Sequence, residues 1–491
     1  MKRLLVVLLL SACAPKEVQY SLNIVTQNCD AAADPFAGVK ELWVRISGEG
    51  LEPIVATAEA SSKTLEIPEI PAGLRRVIEV RAYDGPISGS GRVVSVGRTR
   101  AFDVPDVVPQ ETSGPERLTV VLRRVNMFSP VVSAASPTQC QALRTARYAH
   151  TATLMKSGRV LIAGGYNFVQ GSSDEQALAD AEVYNPETGA FELAQPMSGR
   201  LQDGSRLLIP SAYQAAALNP TSGQVLLWGG ESINDQGMVQ PRARILAYDE
   251  PSDDYAPLQA SVARSRHQLV TDRNGLMVAV GGTGNGGELV DAIEWFDGAG
   301  VKKVEGAERR QGAAALAIAG GSDGTQVLGD VALCQFTGGT FAKNTSTTLN
   351  MGSPRRDAAA ALVGDGSRFL VLGGYTNVAR EQLASTASDL VNTNSLAVTT
   401  GVTLSEARGD LCAATLAGGA VLTTGGRVFN GTLGLDSAVA TTEYFVPQGT
   451  GGVNKVTIPA LPRARFGHTC TTLSDGAVLI VGGVNKLEDG S

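Results

Sequence analysis

The histidines are the first side chains to consider as chemical groups, because the chain has three and all stand at one position of a repeated segment. His150, His267 and His468 each follow an arginine by three residues and precede a short run of strand-forming residues. A metal site or an acid–base site needs such side chains to converge at one point. Side chains that recur once per repeat are distributed along the array instead. We therefore expect them to bond repeat to repeat, and we predict no metal site and no catalytic residue.

The arginine of this segment recurs more often than the histidine, and the same structural role is predicted for it. The second repeat has neither residue. The arginine is found at Arg147, Arg264, Arg355, Arg408 and Arg465.

Each repeat continues with a glycine turn and an apolar run that ends in two glycines. The period is roughly 50 residues, and strand–turn–strand units at that period are typical of propeller blades. In the fourth repeat we place the run at Val327–Asp330, where the glycine pair is missing. The other runs end at Gly164-Gly165, Gly229-Gly230, Gly281-Gly282, Gly373-Gly374, Gly425-Gly426 and Gly482-Gly483. This count gives seven blades, with six as the alternative.

Aromatic residues mark the third strand of most repeats, as at Tyr184 and Tyr248, and the fourth strand, as at Phe191 and Tyr255. Together with the glycine pairs they resemble the kelch motif. The resemblance implies a kelch-type β-propeller over residues 127–491, of the architecture that galactose oxidase has. That enzyme binds copper through histidine and tyrosine side chains. This set of ligands has no match here outside the repeat positions, so we expect no cofactor.

The last repeat shows only two strands before the sequence ends. Propellers commonly complete one blade with a strand from the other end of the array, which removes exposed sheet edges. We therefore predict that Phe128–Ser133 supplies the closing strand.

Residues 20–126 are predicted to form a separate β-sandwich. Apolar and polar residues alternate in segments such as Leu42–Ile46 and Val77–Tyr83, which is the pattern of strands with one buried face. The stretch Ile67–Gly73 resembles turns of immunoglobulin-like or transthyretin-like modules. We interpret this domain as a spacer.

The first residues form a targeting segment rather than part of the fold. Lys2-Arg3 precede an apolar run, and Leu10-Ser11-Ala12-Cys13 resembles the lipobox of bacterial lipoproteins. The resemblance implies a signal peptide at 1–12, lipidation of Cys13 and a tether at 13–19. Ala14 after the cysteine implies attachment to the bacterial outer membrane, on its periplasmic or cell-surface side.

Charge and cysteine content limit the partners and the compartment. The formal charge is −7 and no basic cluster is present, which argues against nucleic acid as a partner. Export permits disulfides. The five cysteines after Cys13 leave at least one unpaired, and we predict a bond between Cys29 and Cys140.

The loops that follow the glycine pairs are the expected binding surface, because propellers vary these loops on fixed sheets. Aromatic and amide side chains there suit a protein or carbohydrate ligand. The candidates are Tyr166, Asn167, Phe168, Tyr375, Asn377, Phe429 and Asn430. We therefore favour a membrane-anchored binding or scaffold lipoprotein over the alternative, a carbohydrate-active enzyme of oxidase or epimerase type with its site at the propeller mouth.

Overall fold

The computed structural model of the chain divides into two compact units. The first comprises residues 1–142 with 186–190, and the second comprises residues 143–185 and 191–491. The structure describes residues 20–61, 70–105, 116–169, 174–200, 203, 205–258, 261–271, 275–304, 310, 318–337, 340–343, 349–378, 383–430, 435–449 and 451–485. The predicted signal peptide 1–12, Cys13 and the tether 13–19 lie outside these residues, as does part of the predicted turn at Ile67–Gly73.

The all-β class is confirmed. Apart from strands and turns, the described residues contain two short 3-10 turns, Ala31–Ala33 and Asn285–Gly287. None of the helices in this part of the chain is long and apolar enough to cross a membrane.

The first unit consists of a six-stranded sheet, a parallel pair and a hairpin. The six-stranded sheet has the order β3-β2-β4-β5-β8, with β6 also paired to β4, while β1 pairs in parallel with β7 and β9 pairs with β10. The strands are β1 Tyr20–Val25, β2 Glu41–Gly48, β3 Leu51–Glu59, β4 Gly73–Tyr83, β5 Val93–Arg98, β6 Phe102–Val104, β7 Glu116–Val121, β8 Arg123–Arg124, β9 Val131–Ser133 and β10 Ser136–Gln141.

Alternation builds the core of this unit, as the sequence predicts. Leu42, Val44 and Ile46 of β2 are buried, and the residues between them lie on the opposite, partly exposed face. Ile24 of β1 and Val120 of β7 pack into the same cluster, so the parallel pair and the larger sheet share one core.

The end of the first unit differs from the prediction. Residues 127–142 group with it, beyond the boundary predicted at 126–127. The predicted closing role of Phe128–Ser133 is wrong, since Val131–Ser133 pairs with Ser136–Gln141 instead. The predicted Cys29–Cys140 disulfide is confirmed, and it fixes this hairpin within the first unit.

The second unit is an array of sheets, numbered here in chain order. Sheets 1, 2 and 3 each have four strands, and short hairpins lie between some of their strands or between the sheets. Sheet 1 is β11 Thr151–Leu154, β12 Val160–Ala163, β15 Ala181–Asn185 and β16 Ala190–Ala194, with the hairpin β13 Tyr166–Phe168 and β14 Glu175–Ala177. The hairpin β17 Ser198–Arg200 and β18 Arg206–Leu208 follows it. Sheet 2 is β19 Ala215–Leu218, β20 Val225–Trp228, β23 Ile245–Asp249 and β24 Asp254–Pro257, with the hairpin β21 Glu231–Ile233 and β22 Val239–Pro241. Sheet 3 is β25 Gln268–Thr271, β26 Met277–Val280, β27 Ile293–Phe296 and β28 Val301–Val304.

Sheets 4 to 7 continue the array with two departures in strand number. The described part of sheet 4 is β29 Ile318–Ala319, β30 Asp330–Ala332 and β33 Leu349–Asn350, with the hairpin β31 Cys334–Thr337 and β32 Thr340–Lys343. Sheet 5 is β34 Ala359–Val363, β35 Arg368–Leu372, β36 Ser388–Asn392 and β37 Ala397–Thr400. Sheet 6 is β38 Cys412–Thr415, β39 Val421–Thr424, β42 Thr442–Pro447 and β43 Val453–Thr457, with the hairpin β40 Arg427–Asn430 and β41 Leu435–Ala438. The described part of sheet 7 is β44 Phe466–Thr472 and β45 Val478–Val484.

The glycine pairs join each sheet to the next one. Both glycines have a positive φ, for example 62° at Gly229 and 94° at Gly230. The amide of Gly230 donates to the carbonyl of Arg264 in sheet 3, and a Cβ on Gly229 would lie 2.3 Å from that oxygen. The second glycine of every sheet makes the equivalent bond, in the pairs Gly165–Ser211, Gly230–Arg264, Gly282–Arg310, Gly321–Arg355, Gly374–Arg408, Gly426–Arg465 and Gly483–Arg147. Conformation and close approach thus both require glycine.

The fourth repeat has kept its glycine pair, so the predicted loss is wrong. The pair is Gly320-Gly321, with φ values of 62° and 99° like those of the other sheets. It follows β29, whereas Val327–Asp330 leads into the third strand. The arginine of this repeat is Arg310, which the sequence analysis missed.

Candidate functional site

Four of the predicted repeat arginines are buried ion-pair partners within their sheets. Their guanidinium groups lie 2.7–3.1 Å from carboxylates of the third strands, with side chains that are 0% exposed. These pairs are Arg147–Glu182, Arg264–Glu294, Arg355–Asp389 and Arg408–Glu443. Arg465 donates to the carbonyl of Gly482 at 2.7 Å. Burial lowers the pKa of Arg147 and Arg408 even though each has a glutamate partner.

The histidines lie in separate seams between neighbouring sheets and do not converge. His150 Nε2 is 3.0 Å from Thr469 Oγ1 of sheet 7, and His468 Nε2 is 2.8 Å from Thr424 Oγ1 of sheet 6. Burial lowers the pKa of His150 and of His468 to about 3, with their arginine neighbours acting in the same direction. In the part of the chain that the structure describes, no group of three or more metal-ligating residues is present.

The structure places two of the predicted rim residues in the interior. Tyr166 and Tyr375 are each 2% exposed, so their rings face neighbouring side chains rather than a ligand. The Tyr166 hydroxyl lies 3.3 Å from Glu231 of sheet 2, and the Tyr375 hydroxyl lies 3.2 Å from Asp410 of sheet 6. These tyrosines therefore hold adjacent sheets together.

The remaining rim candidates are spread over three sheets. Asn167 and Phe168 are partly exposed on β13. Asn377 is partly exposed between the second and third strands of sheet 5, where its carbonyl accepts a 2.8 Å hydrogen bond from Arg356. Phe429 and Asn430 lie in β40.

A different set of residues forms a feature that recurs in six of the seven sheets, which we call the collar. Its members follow the repeat arginine, or Ser211 in sheet 2, by two residues, and each has a positive φ. They are Ala149 (53°), Tyr213 (48°), Arg266 (55°), Asp357 (51°), Asp410 (49°) and Gly467 (65°).

Backbone hydrogen bonds join the collar residues of neighbouring sheets. The amide of Ala149 donates to the carbonyl of Gly467 at 2.8 Å. The amide of Tyr213 donates to the carbonyl of Ala149 at 2.9 Å, and the amide of Arg266 donates to the carbonyl of Tyr213 at 3.0 Å. The backbone amide of Asp410 donates to the backbone carbonyl of Asp357 at 3.2 Å. Residues from several sheets therefore lie next to one another just before or at the start of the first strands.

Aromatic and basic groups occupy the collar at sheets 2 and 3. The Arg266 guanidinium stacks 3.6 Å above the centre of the Tyr213 ring and pairs with Glu231 at 2.7 Å. Burial acts to lower the pKa of Arg266, but Tyr213 and Glu231 outweigh it and raise this pKa above its ordinary value. The Arg266 side chain keeps 27% of its surface exposed. This arrangement presents a fixed cation beside an aromatic face.

Carboxylates occupy the collar at sheets 5 and 6. Asp410 pairs with Arg427 at 2.7 Å, and Asp357 pairs with Arg356. The two aspartates keep 28% and 21% of their side-chain surface exposed, while both arginines are nearly buried. The accessible groups on this side are therefore acidic oxygens held by internal cations.

The collar was not predicted from the sequence, because the loops after the glycine pairs were the expected binding surface. The signal was the residue type two positions after each arginine. A turn that needs only a left-handed backbone favours glycine, as at Gly467. Tyrosine, arginine and aspartate at that position indicate that the side chain itself is used.

Comparison with known proteins gives a local family match and a distant structural one. The kelch motif family matches residues 147–198. No curated protein matches the chain. One solved structure that resembles it, that of YjhT, is 11% identical with a TM-score of 0.43, and the match covers 70% of this chain and 93% of that one. From so distant a likeness we draw nothing further. The matched motif and the repeated sheets support a kelch-repeat protein with the β-propeller architecture.

Proposed function

We propose that the second unit is a binding or scaffold module and that the collar is its ligand site. The observation that carries this is the presence of Tyr213, Arg266, Asp357 and Asp410 on left-handed backbone. A non-glycine residue in that conformation costs on the order of 1 kcal/mol, and such residues cluster at functional sites. The hydrogen bonds of the collar need only the backbone, so the cost is offset by what the side chains do.

The collar chemistry favours a carbohydrate or a protein segment as the ligand. An aromatic face beside a fixed guanidinium suits the apolar face and hydroxyl oxygens of a sugar, or a peptide backbone. The aspartates on the other side accept hydrogen bonds from hydroxyl or amide donors. A polyanion is disfavoured, because the accessible carboxylates would repel it and the chain carries a net charge of −7.

The finer architecture is also proposed, as a seven-bladed propeller. Seven amide-to-carbonyl links join consecutive sheets, and the last of them, from Gly483 to Arg147, returns to the first sheet. In the first unit, the shared core of the parallel pair and the larger sheet supports an immunoglobulin-like or transthyretin-like sandwich acting as a spacer.

Membrane attachment completes the proposal. The lipobox-like Leu10–Cys13 supports lipidation of Cys13 and attachment to a bacterial outer membrane. Labelling cells with a palmitate analogue tests this. Label retained by the chain and lost in Cys13→Ser is expected, and an unlabelled product whose Cys13 is a free thiol contradicts it.

The binding role is tested with the purified chain lacking residues 1–13. A panel of glycans is screened for binding and for turnover, and cell-surface proteins are screened by crosslinking to a photoreactive residue placed at position 168, which lies beside the collar and leaves Tyr213 in place. We expect saturable binding without turnover. Sugar turnover that disappears in Asp410→Asn would contradict a binding-only role.

A further inference from the structure

A second disulfide joins two neighbouring sheets of the array. Cys412 begins β38 of sheet 6, and Cys470 lies in β44 of sheet 7, 58 residues later. Both strands are the first of their sheets, and both cysteines are partly exposed. Among the described residues no other seam between sheets carries a disulfide.

The opposite seam of sheet 7, against sheet 1, is held by hydrogen bonds. Gly483 donates to the Arg147 carbonyl at 2.9 Å, and His150 lies 3.0 Å from Thr469. Thr471 Oγ1 donates to the Ala152 carbonyl at 3.4 Å. The covalent bond is therefore on one side only.

The described part of sheet 7 has fewer strands than its two neighbours, sheets 6 and 1. Its described part is the pair β44 and β45, whereas sheets 5 and 6 each have four strands. An isolated two-stranded sheet is marginally stable in water. The described pair contacts its neighbours through two seams, and the disulfide is the covalent attachment between them.

The collar passes through the same sheet. The carbonyl of Gly467 accepts a hydrogen bond from the amide of Ala149 at 2.8 Å. The centre of the Phe466 ring lies 4.9 Å from the Arg427 guanidinium. Arg427 in turn holds Asp410 at 2.7 Å. A shift of sheet 7 therefore disturbs the collar on both sides of Gly467.

We propose that the Cys412–Cys470 disulfide is a redox-sensitive clasp that holds sheet 7, and with it the collar, in place. A dithiol supplies two electrons and two protons: the Sγ–Sγ bond breaks, Cys412 and Cys470 become thiols, and the dithiol closes to its own disulfide. Sheet 7 is then held only by hydrogen bonds and packing. The clasp goes beyond the proposed ligand binding and does not depend on it.

Hydrogen exchange of the purified chain, with and without dithiothreitol, tests the clasp. The variant Cys29→Ser/Cys140→Ser isolates the effect, because it retains only the disulfide in question. On reduction we expect exchange in residues 466–484 and 147–152 to accelerate at least about tenfold, with residues 215–257 unchanged, since local opening affects a cooperative unit rather than the whole chain. The matched variant Cys412→Ser/Cys470→Ser should exchange fast at these peptides before reduction and show no further change.

Unchanged exchange in residues 466–484 after complete reduction, verified by alkylation and mass, would overturn the proposal. A uniform acceleration throughout the second unit would also overturn it, because the bond would then stabilise the whole array. If either variant fails to fold, reduction of the unsubstituted chain gives the same comparison, since peptides of the first unit report on Cys29–Cys140 separately.

Discussion

The carbonyl oxygen of Arg147 accepts a 2.9 Å hydrogen bond from the amide of Gly483. The two residues belong to the first and last sheets of the array. The bond has the same form as those linking consecutive sheets, in which the second glycine of one sheet donates to the residue at the arginine position of the next. Each repeat arginine thus serves two contacts, one through its carbonyl and one through its guanidinium.

Breaking a repeat ion pair should destabilise the second unit strongly. Arg408→Met leaves Glu443 buried without its main cation, and loss of one partner of such a pair costs about 3–5 kcal/mol. Urea unfolding measures this loss. The double variant Arg408→Met/Glu443→Leu should recover most of it, because it leaves no buried charge. A loss below about 1 kcal/mol in the single variant would contradict the structural role of the pair.

A methyl group on the first glycine of a pair should be tolerated much less than one on a glycine with the same conformation elsewhere. Gly229 and Gly237 have φ values of 62° and 74°, so alanine strains the backbone at both. The added Cβ meets the Arg264 carbonyl at 2.3 Å in Gly229→Ala and meets nothing within 4 Å in Gly237→Ala. We expect about 1 kcal/mol of destabilisation for Gly237→Ala and several for Gly229→Ala. Equal melting temperatures would refute the close contact between sheets.

Acid should weaken the second unit through its buried histidines. Burial depresses the pKa of all three, to about 3 for His150 and His468 and well below 6.5 for His267. Because the unfolded state binds protons first, this stability is complete above pH 6.5 and declines as the pH falls toward 3. The decline amounts to roughly 2 kcal/mol for each of His150 and His468 between pH 7 and pH 5, and His267 acts in the same direction.

The chain itself provides the control for this pH dependence. Gln214 stands at the histidine position of sheet 2, where its amide donates to the Ala163 carbonyl at 3.0 Å. Replacing the three histidines by glutamine should therefore preserve the packing between sheets. The unfolding free energy of this variant should depend much less on pH over this range. If the unfolding free energy of the variant falls with pH as steeply as that of the original chain, the acid sensitivity belongs to carboxylates instead.

The sequence was sufficient to predict the repeat architecture, because strand, turn and glycine positions recur with it. The fourth repeat shows the limit. Val327-Leu328 is apolar and precedes a glycine, as a second strand does, but the true pair at Gly320-Gly321 lies earlier. The pair at Gly320-Gly321 also closes an apolar run in the sequence and was overlooked there, and the sheet-to-sheet contact of Gly321 with Arg355 shows which run is the second strand.

The binding surface was predictable only in part for a similar reason. Aromatic residues after a glycine pair have the composition of a ligand site, yet Tyr166 and Tyr375 pack against the neighbouring sheet. Their burial depends on partners from another repeat. The collar is defined by positive φ, which Asp and Gly signal in sequence but Tyr213 and Arg266 do not.

The central claim, that the collar side chains bind a ligand, is tested most directly by calorimetric titration of Tyr213→Gly. Glycine relieves the positive φ of 48° at this position, which offsets part of the packing lost with the partly exposed ring, so the variant should still fold stably. Arg463→Ala, an exposed cation outside the collar, is the control. For a ligand obtained from the screen, we predict at least about a tenfold rise in Kd for Tyr213→Gly and none for Arg463→Ala. An unchanged Kd in a stably folded Tyr213→Gly would contradict the claim.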